Sequence, residues 1–188
     1  MRYILIGSLA ALAACGDAEE APPEPTADEE IAEVVEAEEE REEVVAASET
    51  LSSAQEFIDS VAQAGAIHVG MAKIAMDEAE REDVQVFAEN AIDVNQQLLT
   101  GLRDVAEGAT ESLQVETVLS DEQERNFAQL RGARSISDMY LERTRSSYDE
   151  VAGQLANYAA EGEIAALREW AAEASTMFDA HLDDLRAL

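Results

Sequence analysis

From Ile164 to Leu185 the chain places Ile164, Leu167, Ala171, Ala174, Phe178, His181 and Leu185 at alternating steps of three and four residues. That spacing puts one side chain per turn on a single stripe of an α-helix, the seam of helices packed side by side. The pattern recurs upstream. Phe57, Val61, Ala64, His68, Met71 and Ala75 form one face, and Val84, Phe87, Ala88, Ala91, Ile92, Asn95, Leu99 and Leu102 a second. A third holds Leu141, Thr144, Tyr148, Val151, Leu155 and Tyr158.

The spacing predicts four long helices: about Ser53 to Glu80, about Asp83 to Glu107, Ser137 to a stop at Gly162, and Glu163 onward. Ser53 with Glu56 makes a capping-box signature, and Gly108 ends the second helix. Ser120 with Gln123 caps a short additional helix carrying Phe127 and Leu130. The fold class expected is all-α: a four-helix bundle. The first and last pairs, joined by short turns, are antiparallel hairpins. Helices of about 25 residues are roughly 37 Å long. The connector between the second and third long helices can run that length, giving a ferritin-like bundle with the short helix in a long crossover. An up-down-up-down arrangement is the alternative.

The N-terminal region reads differently. Arg2 is followed by an apolar run from Tyr3 to Ala14, too short for a helix of about 20 residues that would cross a bilayer. Residues 1–14 read as a secretory signal. Leu12-Ala13-Ala14-Cys15 resembles the bacterial lipobox, in which small residues precede a cysteine that is acylated (palmitate among its chains) and becomes the mature N-terminus. Cys15 is the sole cysteine, which excludes an internal disulfide framework. Several acyl chains there would anchor the protein firmly. Gly16 follows the cysteine in place of the Asp that retains bacterial lipoproteins at the inner membrane, which points to the outer membrane.

Residues 16–50 carry fifteen acidic side chains against Arg41 alone, a net of −14, and all three prolines of the chain. Such a segment cannot repay the entropy of ordering, so residues 15–50 are expected to be a lipidated cysteine followed by a disordered acidic tether. Ile31, Val34, Val35, Val44 and Val45 favour local helix there, opposed by like charges at i,i+4. The helical domain is expected over 51–188.

Charge narrows the partners. The chain has 42 Asp and Glu against 12 Lys and Arg, a formal charge of −30. Nucleic acid is excluded, because phosphates would be repelled and no basic stripe exists to release counterions. A basic protein partner would be steered toward it. The expected membrane contact is the lipid on Cys15. No small-molecule substrate suggests itself, because GxSxG and phosphate-cradling glycine loops are missing. Trp170 and Met177 read as packing residues.

The stretch from Phe57 to Leu188 resembles the uncharacterised bacterial family called domain of unknown function forty-one forty-two, ferritin-like exported proteins often described as outer-membrane proteins. The pieces that carry the resemblance are Gly70-Met71-Ala72-Lys73-Ile74-Ala75, Val86-Phe87-Ala88, Asp93, Met139-Tyr140-Leu141 and His181-Leu182, in that order and spacing. The resemblance implies a fold and a compartment, and no established general activity. Members of that family place a Glu in the first helix and a His in each of the other three, facing inward. The corresponding positions here are His68, Asn95, Tyr148 and His181, so only His181 keeps the pattern.

Each of these four lies on or beside an apolar seam, where a polar group needs a partner. Asn binds zinc or iron weakly and Tyr must lose its proton, so the set supplies at most two good transition-metal ligands. No Glu-x-x-His occurs, so the di-iron carboxylate constellation is missing. A hydrogen-bonded polar cluster in the core is the favoured reading, with no cofactor beyond the lipid. The function expected is a non-enzymatic structural or stress-related interaction module of the envelope, on the periplasmic face of the outer membrane. The alternative is a metal-binding or redox bundle using His68 and His181. A polyanionic chaperone or cation buffer, acting through the tether, is the third.

Overall fold

The computed structural model describes residues 27–188 except residue 111, with side chains from residue 53 onward. The apolar leader, Cys15 and the proline-containing stretch therefore lie outside the described residues. Five helices and no strands occur among the described residues: α1 (Ala27–Glu78), α2 (Glu82–Gly108), α3 (Asp121–Arg131), α4 (Ile136–Glu161) and α5 (Ala165–Arg186). No helix among them is long and apolar enough to cross a membrane. The chain divides into two units, Met1–Arg41 and Glu42–Leu188. In the first, the described backbone, Ala27 to Arg41, is helical; the packing described below is that of the second.

From residue 27 on, within the stretch expected to be a tether, the backbone is helical and runs continuously into α1. This stretch is dominated by Ala and Glu, both strong helix formers, and their summed propensity outweighs i,i+4 repulsion of a few tenths of a kcal/mol per pair. In consequence Ser53 and Glu56 lie inside α1 and do not mark its N-terminus. The capping box expected at α3 does form: the Ser120 hydroxyl accepts from the Gln123 N–H, and the Gln123 side chain accepts from the Ser120 N–H.

Gly162 stands where the sequence places a stop for α4, for a different reason. Its φ of −61° is open to any residue. A Cβ there would instead lie 2.4 Å from Cε1 of Tyr158, so glycine provides space for that ring.

Side-chain pairings give the helix directions. Phe57 meets Tyr158, His68 meets Ser147, and Glu80 meets Ser137, so α1 and α4 run antiparallel. Phe87 stacks on His181, and Gly101 faces Trp170, so α2 and α5 are antiparallel too. By contrast Phe87 faces Tyr140 while Asn95 reaches Tyr148, and α2 and α4 therefore run in the same direction. The connector between them must return along the body, and it does so beside α1. Gln55 grips the backbone of Gln114, donating to its carbonyl at 2.8 Å and accepting from its N–H at 3.0 Å. Farther on, Phe127 of α3 lies on Gly70, and Arg131 pairs with Glu78 at 3.3 Å.

The core follows the seams. Val61, Met71, Phe87, Leu99, Leu102, Leu141, Leu155, Leu167, Phe178 and Leu185 are buried, as the spacing predicts, while Phe57, Ile92 and Tyr158 are half-buried. Burying one such aliphatic or aromatic side chain contributes about 1.5–3 kcal/mol. Ile58, Ile74, Leu98, Tyr140 and Leu182 are buried as well, because the stripes are wider than a strict two-per-heptad seam.

Candidate functional site: a buried polar cluster

Three helices each direct a polar side chain into the middle of this core. His68 of α1 and Asn95 of α2 are buried, as is Tyr148 of α4. The Asn95 amide nitrogen donates to the Ala91 carbonyl one turn back on its own helix and to the Tyr148 hydroxyl, both at 2.8 Å. That orientation turns the amide oxygen toward His68 Nδ1, 3.1 Å away. An amide oxygen only accepts, so His68 carries its proton on Nδ1. Nε2 is then the acceptor, and the Ser147 hydroxyl donates to it at 2.7 Å. Both ring nitrogens of His68 are engaged.

The electrostatics agree with a neutral ring. Burial lowers the His68 pKa from 6.5 to about 4, helped by the neighbouring His181 and opposed by the bond to Asn95. Burial likewise raises the phenols of Tyr140 and Tyr148 above their ordinary value, so both keep their protons. The cluster is thus a set of neutral groups, none of them poised to exchange a proton near neutrality.

His181 of α5 sits beside the cluster rather than in it. Its ring stacks on Phe87, 4.6 Å away and 6° from parallel, and lies 5.6 Å from the Tyr148 ring. Its Nε2 is buried without a hydrogen-bond partner. Burial lowers the His181 pKa, and Asp184 pulls it back.

The four residues expected from the sequence therefore fall in one region, with His68, Asn95 and Tyr148 joined by hydrogen bonds and His181 in ring contact only. Ser147 was not legible as a partner. It is one of two adjacent serines, and only the rotation of α4 decides which one faces His68.

As a metal site the donor set fits poorly. His68 would have to give up a bond to place a lone pair on a metal, Asn95 is fully engaged, and the Tyr148 phenol resists deprotonation. Nε2 of His181 is open. Among the described residues no group of three or more His, Cys, Asp or Glu is placed to hold a metal ion.

The family model described as Domain of unknown function (DUF4142) matches residues 39–188. No curated protein and no solved structure matches the chain.

Proposed function

The chain belongs to the DUF4142 family, and on that premise we propose that it is an outer-membrane lipoprotein facing the periplasm, anchored through acylated Cys15. Its four long helices form a ferritin-like four-helix bundle, and this bundle is a non-enzymatic structural or stress-related interaction module of the envelope. The parallel α2 and α4, with a connector returning beside α1, support that bundle topology.

The observation that carries the non-enzymatic reading is the self-satisfaction of the buried cluster. Every polar atom of His68 and Asn95 is used internally, which suits a device that fixes helix register and leaves the carboxylate-rich surface to meet partners. The test is crosslinking in intact cells with the full-length chain and Cys15→Ala. A discrete crosslinked partner is expected for the wild type, and loss of the membrane fraction for the variant. A wild type without any partner, or a variant still in the membrane fraction, overturns the proposal.

The open Nε2 of His181 favours one second reading, a metal or redox site using His68 and His181. Metal analysis of the purified protein and melting with added Zn²⁺ or Fe²⁺ decide it. Bound metal or a raised Tm supports this reading, and neither effect rejects it.

A further inference from the structure

Among the described residues, three basic side chains are partly withdrawn from solvent: Arg81, Arg103 and Arg143. Arg81 pairs with Asp83 at 2.6 Å, and Arg143 donates to the Asn126 carbonyl at 3.0 Å and to the Gln129 side chain at 3.2 Å. Arg103 makes no hydrogen bond or ion pair among the described residues, although Glu107 follows one turn later at ion-pair spacing. It lines a cleft of about 370 Å³ where the connector lies against α1 and α2. Ala66 and Val69 of α1 and Leu99 of α2 give the cleft its apolar wall, while Gln96 and Thr117 add an amide and a hydroxyl. A Cβ on Gly65 would lie 3.0 Å from Cδ2 of Leu99, so glycine there lets Leu99 pack closely on α1. In a chain with 42 Asp and Glu, no carboxylate lines this cleft among the described residues.

We propose that this cleft binds a small aliphatic monocarboxylate, its carboxylate on the Arg103 guanidinium and its apolar chain along Ala66, Val69 and Leu99. The inference goes beyond the interaction-module reading and does not depend on it. A half-buried guanidinium has lost part of its hydration, and the planar fork of N–H donors matches a carboxylate in two parallel hydrogen bonds. Gln96 and Thr117 can donate to the same anion, since neither side chain has a partner among the described residues. An apolar wall with a few convergent polar groups is the usual make-up of a small-molecule site. Charge narrows the ligand further. A cation would meet Arg103, and a phosphate dianion would need a second cation that the cleft lacks. Against a chain of −30, an anion of single charge is repelled least.

Sodium hexanoate titrated into the isotope-labelled full-length chain at about 150 mM salt tests this by amide nuclear magnetic resonance. Signals of Ala66–Val69, Gln96–Arg103 and Thr117 should shift saturably, and those of the rest of the bundle should stay in place. On the wild type, acetate should bind about tenfold more weakly than hexanoate, because it leaves the apolar wall uncovered. Hexanol should also bind about tenfold more weakly, because it carries no charge for Arg103. Arg103→Gln should weaken hexanoate by about tenfold. Arg145→Gln removes the same charge from an exposed position on α4, outside the cleft, and should leave binding unchanged. Shifts that do not saturate or that spread over the whole bundle overturn the proposal. So do equal weakening by the two arginine variants, and hexanol, acetate or inorganic phosphate binding as tightly as hexanoate. The ligand comparisons use the wild type, so they decide the matter even where Arg103→Gln disturbs the fold.

Discussion

Glu80 and Ser137 hold each other's helix ends. The Glu80 carboxylate accepts from the N–H of Ile136 and of Ser137, both at 3.0 Å, and from the Ser137 hydroxyl at 2.9 Å. That same hydroxyl oxygen accepts from the N–H of Glu80 and of Arg81, both at 3.1 Å. The turn between α1 and α2 and the first turn of α4 thus satisfy donors that neither could satisfy alone. Ser137 is buried, so Ser137→Ala should cost about 1–3 kcal/mol through the orphaned N–H groups. Thermal melting measures it.

The same contact has an acid signature. These donors hold the Glu80 carboxyl at about 2, below its ordinary 4.5. A depressed carboxyl stabilises the fold above the unfolded value, and that stabilisation disappears as pH falls through the folded one. Wild type should therefore melt above Glu80→Gln at pH 5, and the two Tm values should converge as pH approaches about 2. A difference that stays constant with pH would refute the carboxylate clamp.

His68 predicts a second pH dependence at milder acidity. The folded ring stays neutral down to about 4, whereas the unfolded ring takes a proton near 6.5. Between those values the unfolded state binds more protons, so stability falls as pH falls, by about 3 kcal/mol in total. His181, also lowered, adds to the slope in the same direction. His68→Gln should flatten the dependence of Tm on pH across that window, read by circular dichroism melts.

The bond between His68 and Asn95 is testable by a double-mutant cycle. Asn95→Leu strands the Nδ1 proton of His68 and should cost about 2–4 kcal/mol. Adding His68→Phe removes the stranded donor, so the double variant should lose less than the sum of the two single losses. Strict additivity would mean that the cluster contributes no coupling.

Gly70 is the seat of α3. A Cβ there would lie 2.4 Å from Cζ of Phe127, a rigid ring with little freedom to yield. Gly70→Ala should destabilise by about 1–3 kcal/mol and increase amide hydrogen exchange over Asp121–Arg131. Phe127→Leu combined with it should restore part of the loss.

Much of this was readable from spacing. The helix 5 seam, the capping box at Ser120 and the inward face of α2 all follow from one residue and its neighbours three or four positions away. The start of α1 was not, because a charged Ala/Glu segment satisfies the composition of a tether and the propensity of a helix at once. The Phe57–Tyr158 stack escaped too. Both residues stood on the seams as ordinary core positions, and nothing local says that they face each other half-exposed.

What the amino-acid order determined by itself is whatever depends on short-range periodicity: helix identity, the apolar stripes and the placement of His68, Asn95, Tyr148 and His181 on those stripes. What only the tertiary structure decided is which of these groups touch. Asn95 reaches Tyr148 across 53 positions and Glu80 reaches Ser137 across 57. A hydrogen bond tolerates only a few tenths of an ångström, while helix spacing leaves rotation and axial shift free by more than that. Packing removes that freedom, and with it settles why His68 is fully bonded and His181 is not.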